Sequence, residues 1–275
     1  MFWTVLPIAW LIIFRESLEA TLIIAIILAY FAKMKVDQYN RYIWYGVVGA
    51  SLASISLGCA LLYFSMSLRG LLEKLYEGII SLFATLVLTY MIIWMTKNAR
   101  RVGEELEERL SYYLSKKDMI GITTLAFIAV FREGLEAVLF LSVIANFSIL
   151  GVFVGAIAGL LSVILIGYFI IFAGYKLPLK RFFKISSIIL LIFAAGIFGY
   201  GIHEIIEVIE MSGFSLGILA EPLWNTNFLL DEESLLGQIL KTLVGYDENP
   251  ELLRILGYIG YWISLLYYLR RQKLI

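Results

Sequence analysis

Phe14-Arg15-Glu16-Ser17-Leu18-Glu19-Ala20 and Phe131-Arg132-Glu133-Gly134-Leu135-Glu136-Ala137 are two copies of one phrase, differing only at Ser17 against Gly134. Each stands about halfway along a long apolar run. A charged side chain at the centre of a membrane helix costs about 2.5–3.5 kcal/mol on an insertion scale. Six such residues cannot face lipid, so they must face each other. Helical spacing allows it. Arg15 and Glu19 are i,i+4 and Glu16 and Glu19 are i,i+3, so the three share a face, and Arg132, Glu133 and Glu136 repeat the pattern. Each copy offers two carboxylates and one guanidinium. If the two helices pack face to face, four carboxylates and two arginines leave a formal charge of −2, which a multivalent cation would relieve.

The composition agrees with a membrane setting. The 275 residues are 61% hydrophobic and 16% charged, and the mean hydropathy is +0.88. A soluble domain is about half apolar and about a quarter charged. Intrinsic disorder, a nucleic-acid binder and a soluble enzyme with a charged surface are excluded. The single cysteine, Cys59, excludes an intrachain disulfide or a cysteine-rich metal site. The seven methionines read as unclustered. Oxygen ligands suit hard cations, so Cu(I) is disfavoured.

A bilayer core needs roughly 20 apolar residues per helix. Seven segments qualify: Val5–Phe31, Tyr42–Ser65, Gly78–Met95, Met119–Phe147, Leu150–Tyr175, Ile185–Ile202 and Leu252–Leu269. The first lacks a basic leader and carries internal glutamates, unlike a removable signal peptide. The last is diluted by Arg254. Odd-numbered connections and the tail hold sixteen Lys and Arg, and the opposite side holds only Arg69, Lys74 and Lys241. Basic connections mark the cytoplasmic side. The N-terminus is therefore expected outside and the C-terminus in the cytoplasm, which requires an odd number of spans.

The two motif copies stand in the first and fourth spans, so they are expected in opposite orientation. The expected fold is an all-α integral membrane protein of seven transmembrane helices. Repeat one covers about 1–97, a cytoplasmic connection about 98–118, repeat two about 119–203, an acidic outer connection about 204–250, and a seventh helix about 251–270. Inverted repeats of this kind are common in transporters, with sites near the midplane. The outer connection from Glu204 to Glu251 carries ten acidic residues against Lys241. Such a surface concentrates cations, although a solvated loop is the plainer reading of any charge run.

The doubled Arg-Glu-x-Leu-Glu motif resembles the high-affinity iron permease family, the ferroxidase-coupled permeases and their prokaryotic relatives within the iron/lead transporter superfamily. Gly199-Tyr200-Gly201-Ile202-His203-Glu204-Ile205-Ile206-Glu207 resembles the end of that family's sixth helix. Pro222-Leu223-Trp224-Asn225, Leu236-Gly237-Gln238-Ile239-Leu240, Gly245-Tyr246 and Pro250 resemble its last outer connection. The likeness implies that Glu16, Glu19, Glu133 and Glu136 bind iron, with Arg15 and Arg132 in support, and it points to Fe(III) as the cargo, although carboxylates alone would also take Fe(II) and Mn(II). It also implies a separate ferroxidase or iron-delivery protein on the outer side.

Further candidates follow from spacing. His203, Glu204 and Glu207 form a cluster at the outer end of the sixth span, where cations arrive. Glu104, Glu105, Glu107 and Glu108 in the cytoplasmic connection pair at i,i+3 and could receive iron on its way in, but a solvated helix balanced by Arg100, Arg101 and Arg109 is the plainer reading. Gly151, Gly155 and Gly159 form a stripe for close helix packing, within the chain or in a homo-oligomer. Trp3, Trp44, Trp94 and Trp262 read as interfacial anchors. Expected partners are iron ions and membrane lipid, with no nucleic acid and no cofactor beyond transported iron. A proton- or sodium-coupled transporter of another divalent cation could use the same carboxylates. A membrane enzyme is disfavoured, because one histidine cannot supply bis-histidine haem ligation and no nucleophile–base pair stands at the midplane.

Overall fold

Lipid offers a backbone no water to bond to, so an apolar run that crosses it closes its hydrogen bonds along its own helix. The computed structural model describes residues 1–98, 101–173 and 179–272, and over these the chain is all-α. Its helices are α1 (Phe2–Met34), α2 (Asn40–Ser67), α3 (Leu71–Asn98), α4 (Arg101–Ser115), α5 (Met119–Ala145), α6 (Ile149–Ala173), α7 (Leu179–Met211), α8 (Leu235–Val244) and α9 (Leu252–Arg271). Among the described residues, Asp37–Ser67, Leu71–Asn98, Ile149–Tyr168, Arg181–Met211 and Leu252–Arg271 are long and apolar enough to cross a membrane. Helices α1 and α5 are 33 and 27 residues long and hold the six motif charges. The expected fifth span ends at Tyr175, which lies outside the described residues, as do Arg100, Lys176 and Lys273.

The helices overrun the apolar segments. Helix α7 continues past Ile202 to Met211, so His203, Glu204 and Glu207 are helical. Capping fixes other ends. The Asp118 carboxylate accepts from Gly121 N–H at 2.9 Å at the start of α5, and Ser234 Oγ accepts from Gly237 N–H at 3.0 Å at the start of α8. Each such cap satisfies an otherwise orphaned backbone donor. Large side chains such as Leu52, Ile55, Leu86, Ile164 and Leu165 are exposed along the spans, an apolar exterior suited to lipid.

Packing partners are exchanged between the two halves of the chain. Helix α1 lies chiefly against α6, α2 against α5, and α3 against α7, with α1 and α5 meeting at the centre. The glycine stripe of α6 explains the first pairing. A Cβ on Gly155 would stand 2.5 Å from the Leu6 carbonyl, so only glycine admits so close an approach, and Gly151 and Gly159 likewise face α1. The stripe therefore serves packing within the chain. On α5, a Cβ on Gly134 would stand 2.1 Å from Ser54 Oγ of α2.

Two buried apolar clusters flank the motifs. One joins Val5, Ile8 and Ile12 of α1 to Phe140, Val143 and Ile144 of α5. The other joins Ile24, Ile27 and Phe31 of α1 to Ile122 and Ala126 of α5. The start of α1 thus meets the end of α5, and the two motif helices run antiparallel. Leu106 and Leu110 of α4 are buried in the second cluster, while Glu104, Glu105, Glu107 and Glu108 are exposed. That is the amphipathic helix expected of the cytoplasmic connection. The connection between α7 and α9 is folded rather than loose. Leu223 N–H donates to the Pro250 carbonyl at 3.0 Å and Leu252 N–H to the Glu221 carbonyl at 3.2 Å.

Candidate metal centre

Between the two apolar clusters, α1 and α5 bring their motifs together. Glu16, Glu19 and Glu133 each place a carboxylate oxygen within 4.8 Å of the others, and all three are buried. Glu136 is buried beside them. Arg15 Nη1 donates to Glu16 Oε1 at 2.6 Å, and its Nη2 lies 2.9 Å from Glu19 Oε1. The contact to Glu19 is an ion pair without hydrogen-bond geometry, so both Glu19 oxygens lack a hydrogen-bond partner, as do Glu16 Oε2 and Glu133 Oε2. Buried charges are normally paired and bonded. Three buried carboxylates converging from two helices, each with an oxygen free of a hydrogen bond, form a donor set suited to a hard cation.

The second motif copy is looser. Arg132 Nε lies 3.3 Å from Glu136 Oε1 and 3.8 Å from Glu133 Oε1. Its guanidinium stacks over Trp94, 4.5 Å from the ring centroid. Trp94 therefore contacts the motif besides standing near a span end. Two methionines also belong here, contrary to their unclustered look in sequence. Arg15 Nη2 lies 3.3 Å from Met95 Sδ, and Arg132 Nη2 lies 3.6 Å from Met91 Sδ. Their i,i+4 spacing on α3 puts both thioethers on one face. That spacing was visible, but nothing in sequence placed α3 against the motifs.

A second cluster stands at the end of α7. His203, Glu204 and Glu207 bring one ligand atom each within 4.8 Å of the others. His203 Nδ1 bonds the Glu251 carboxylate at 2.6 Å. Its Nε2 lies 3.4 Å from Glu207 Oε1, so the ring stands between two carboxylates. Burial raises the Glu251 carboxyl, but the bond and charge of His203 outweigh it and hold the group below the ordinary carboxylate range. Lys74 reaches from α3 to within 3.1 Å of Glu204 and 2.8 Å of Glu207. Tyr200 donates to Glu77 nearby. Lys74, Glu77 and Glu251 had no visible tie to this cluster, because they stand far from it in the chain.

The remaining acidic groups have other work. Asp247 pairs with Arg254, the residue that dilutes the last span. Glu248 accepts from Glu232 N–H at 3.2 Å, and Lys241 pairs with Glu232. The four glutamates of α4 form no three-ligand group among the described residues.

Buried carboxylates gathered at the centre of a multi-pass helical membrane protein mark an ion pathway. The family description "Iron permease FTR1 family" matches residues 8–270, and the chain belongs to that family. A "Ferrous iron permease EfeU" of Yersinia pseudotuberculosis is 34% identical over 269 residues, covering 97% of this chain and 92% of that one. The protein of the same name from Escherichia coli O6:H1 is 30% identical over 263 residues, covering 94% and 93%. An uncharacterized protein of Archaeoglobus fulgidus is 34% identical over 266 residues, covering 94% and 92%. No solved structure matches the chain. The protein is thus an iron-transporting permease of the cell membrane.

Proposed function

We propose that iron crosses through a midplane site made of Glu16, Glu19, Glu133 and Glu136, held by Arg15 and Arg132. The scaffold is a seven-span inverted repeat, α1–α3 and α5–α7 with α9 appended, its N-terminus outside and its C-terminus cytoplasmic. The antiparallel motif helices and the exchanged pairings of α1 with α6 and α2 with α5 support it. The lining apolar clusters close the site on both sides, so transport requires the repeats to rock or gate against each other. His203, Glu204 and Glu207 are the outer station where iron arrives, and the exposed Glu104, Glu105, Glu107 and Glu108 are its cytoplasmic acceptors. A ferroxidase or iron-delivery protein would act as a separate outer partner.

The carrying observation is the convergence of three buried glutamates from both motifs, each with at least one oxygen free of a hydrogen bond. Iron would take those oxygens, and the guanidiniums would return to them when it leaves. Family resemblance points to Fe(III). Two observations favour Fe(II): the Yersinia and Escherichia relatives are named ferrous iron permeases, and a divalent ion balances the formal −2 of four glutamates and two arginines.

The test is uptake of radiolabelled iron into vesicles holding the purified protein, supplied as Fe(III) or as Fe(II) under reductant. Glu16→Gln and Glu136→Gln should each lower uptake by more than about 100-fold, beyond the loss typical of outer-shell changes. Unchanged uptake in both variants would remove the midplane site.

A further inference from the structure

Lys74 stands in the first turn of α3 and crosses to α7, where its ammonium bridges Glu204 and Glu207 at 3.1 and 2.8 Å. Those carboxylates and His203 are the gathered ligands of the outer cluster. The ammonium therefore occupies the side of the cluster where a cation would bind. Glu204 is only 2% exposed, and its Oε2 accepts no hydrogen bond. A buried carboxylate in that state needs a positive charge beside it. Lys74 itself is 33% exposed. It is a compact charge on a flexible four-carbon stem, so it can withdraw to water without being stranded. Arg15 at the midplane, 2% exposed, has no such retreat.

We propose that Lys74 is a tethered counter-cation that screens incoming ions by valence. It neutralises Glu204 and Glu207 while the outer cluster is empty, and iron displaces it. Sodium brings the same single charge as the ammonium and must compete with a group held at high effective concentration. It gains nothing by the exchange. A di- or trivalent ion brings more charge to the same oxygens and wins it. Lys74 thereby also limits the affinity of the outer cluster, which lets iron leave inward. This inference rests on the outer cluster being the first station for iron.

The experiment measures initial iron uptake in proteoliposomes against iron concentration, with sodium varied against choline at constant ionic strength. Removing a unit charge a few ångströms from two carboxylates should strengthen cation binding markedly. K74M should lower the apparent KM for iron by about tenfold and make uptake sensitive to competing sodium. K74R should restore the wild-type KM and sodium resistance, which a loss of packing would not explain. A folded K74M with an unchanged or raised KM and no sodium inhibition overturns the proposal. If K74M does not reach the membrane, K74Q is read in its place, and failure of both makes the lysine a structural tie and ends the proposal. H203A and E207Q separate the two levels. If neither raises the KM, the outer station itself is wrong. If they raise it and K74M does not lower it, only the role of Lys74 falls.

Discussion

The two motif copies are the same phrase in different surroundings. Arg15 is 2% exposed and touches both its glutamates at 2.6 and 2.9 Å, whereas Arg132 is 34% exposed, stands 3.3 and 3.8 Å from its own, and rests on Trp94. The first copy is locked by charge and the second is propped by an aromatic ring. A repeated sequence thus supplies the same groups twice, but the helices around each copy decide how tightly they are held. On the proposed midplane route the inequality is useful, because an ion that must be released needs one side of its site to give way first.

The largest test of this difference is to remove each arginine. Arg15→Gln should destabilise the protein by about 3–5 kcal/mol, the usual cost of stranding a buried charge. Arg132→Gln should cost less, because its contacts to the buried Glu136 and Glu133 are longer, at 3.3 and 3.8 Å. Thermal unfolding in detergent reads both, and equal losses would show that the copies are equivalent after all. Exchange of the one differing position comes next. Gly134→Ser drives a side chain into Ser54 of α2 and should cost roughly 1–3 kcal/mol by overpacking. The reverse change, Ser17→Gly, should be tolerated, because it removes a half-buried side chain instead of inserting one.

Trp94→Leu probes the prop itself. Loss of the cation–π contact should cost about 0.5–2 kcal/mol and weaken iron uptake through the second copy, while Phe at this position should recover most of both. A leucine variant with wild-type stability and uptake would make Trp94 a membrane anchor alone.

Much of this was legible beforehand. The doubled motif, its burial and its internal pairing follow from helical spacing and the cost of charge in lipid. The amphipathic α4 follows from Leu106 and Leu110 at i,i+4 among glutamates. Met91, Met95 and Trp94 were not legible as partners of the arginines, nor Lys74 and Glu251 as partners of the α7 cluster. Each comes from a helix or loop remote in the chain, and an apolar helix with no strong polar face does not announce which side meets which neighbour.

The smallest effect lies farthest from the motifs, at Glu251. Its carboxyl is held below the ordinary range by His203, so its stabilising contribution is present above the unfolded value near about 4.3 and is lost as pH falls through the lower folded value. Glu251→Gln should lower the melting temperature by a few degrees at neutral pH. The gap to wild type should close at pH values below both carboxyl values, and a gap independent of pH would mean that His203 does not set it.

Sequence alone determined that the chain is a membrane protein and which six charges must turn away from lipid, because lipid penalises polar groups so heavily that their positions cannot be accidental. Tertiary structure decided which carboxylates converge, which arginine is sealed and which is propped, and that Lys74 reaches across to the cluster on α7. Those outcomes depend on how close two helices can approach, and a small residue such as Gly134 or Gly155 sets that distance only once its partner helix is in place.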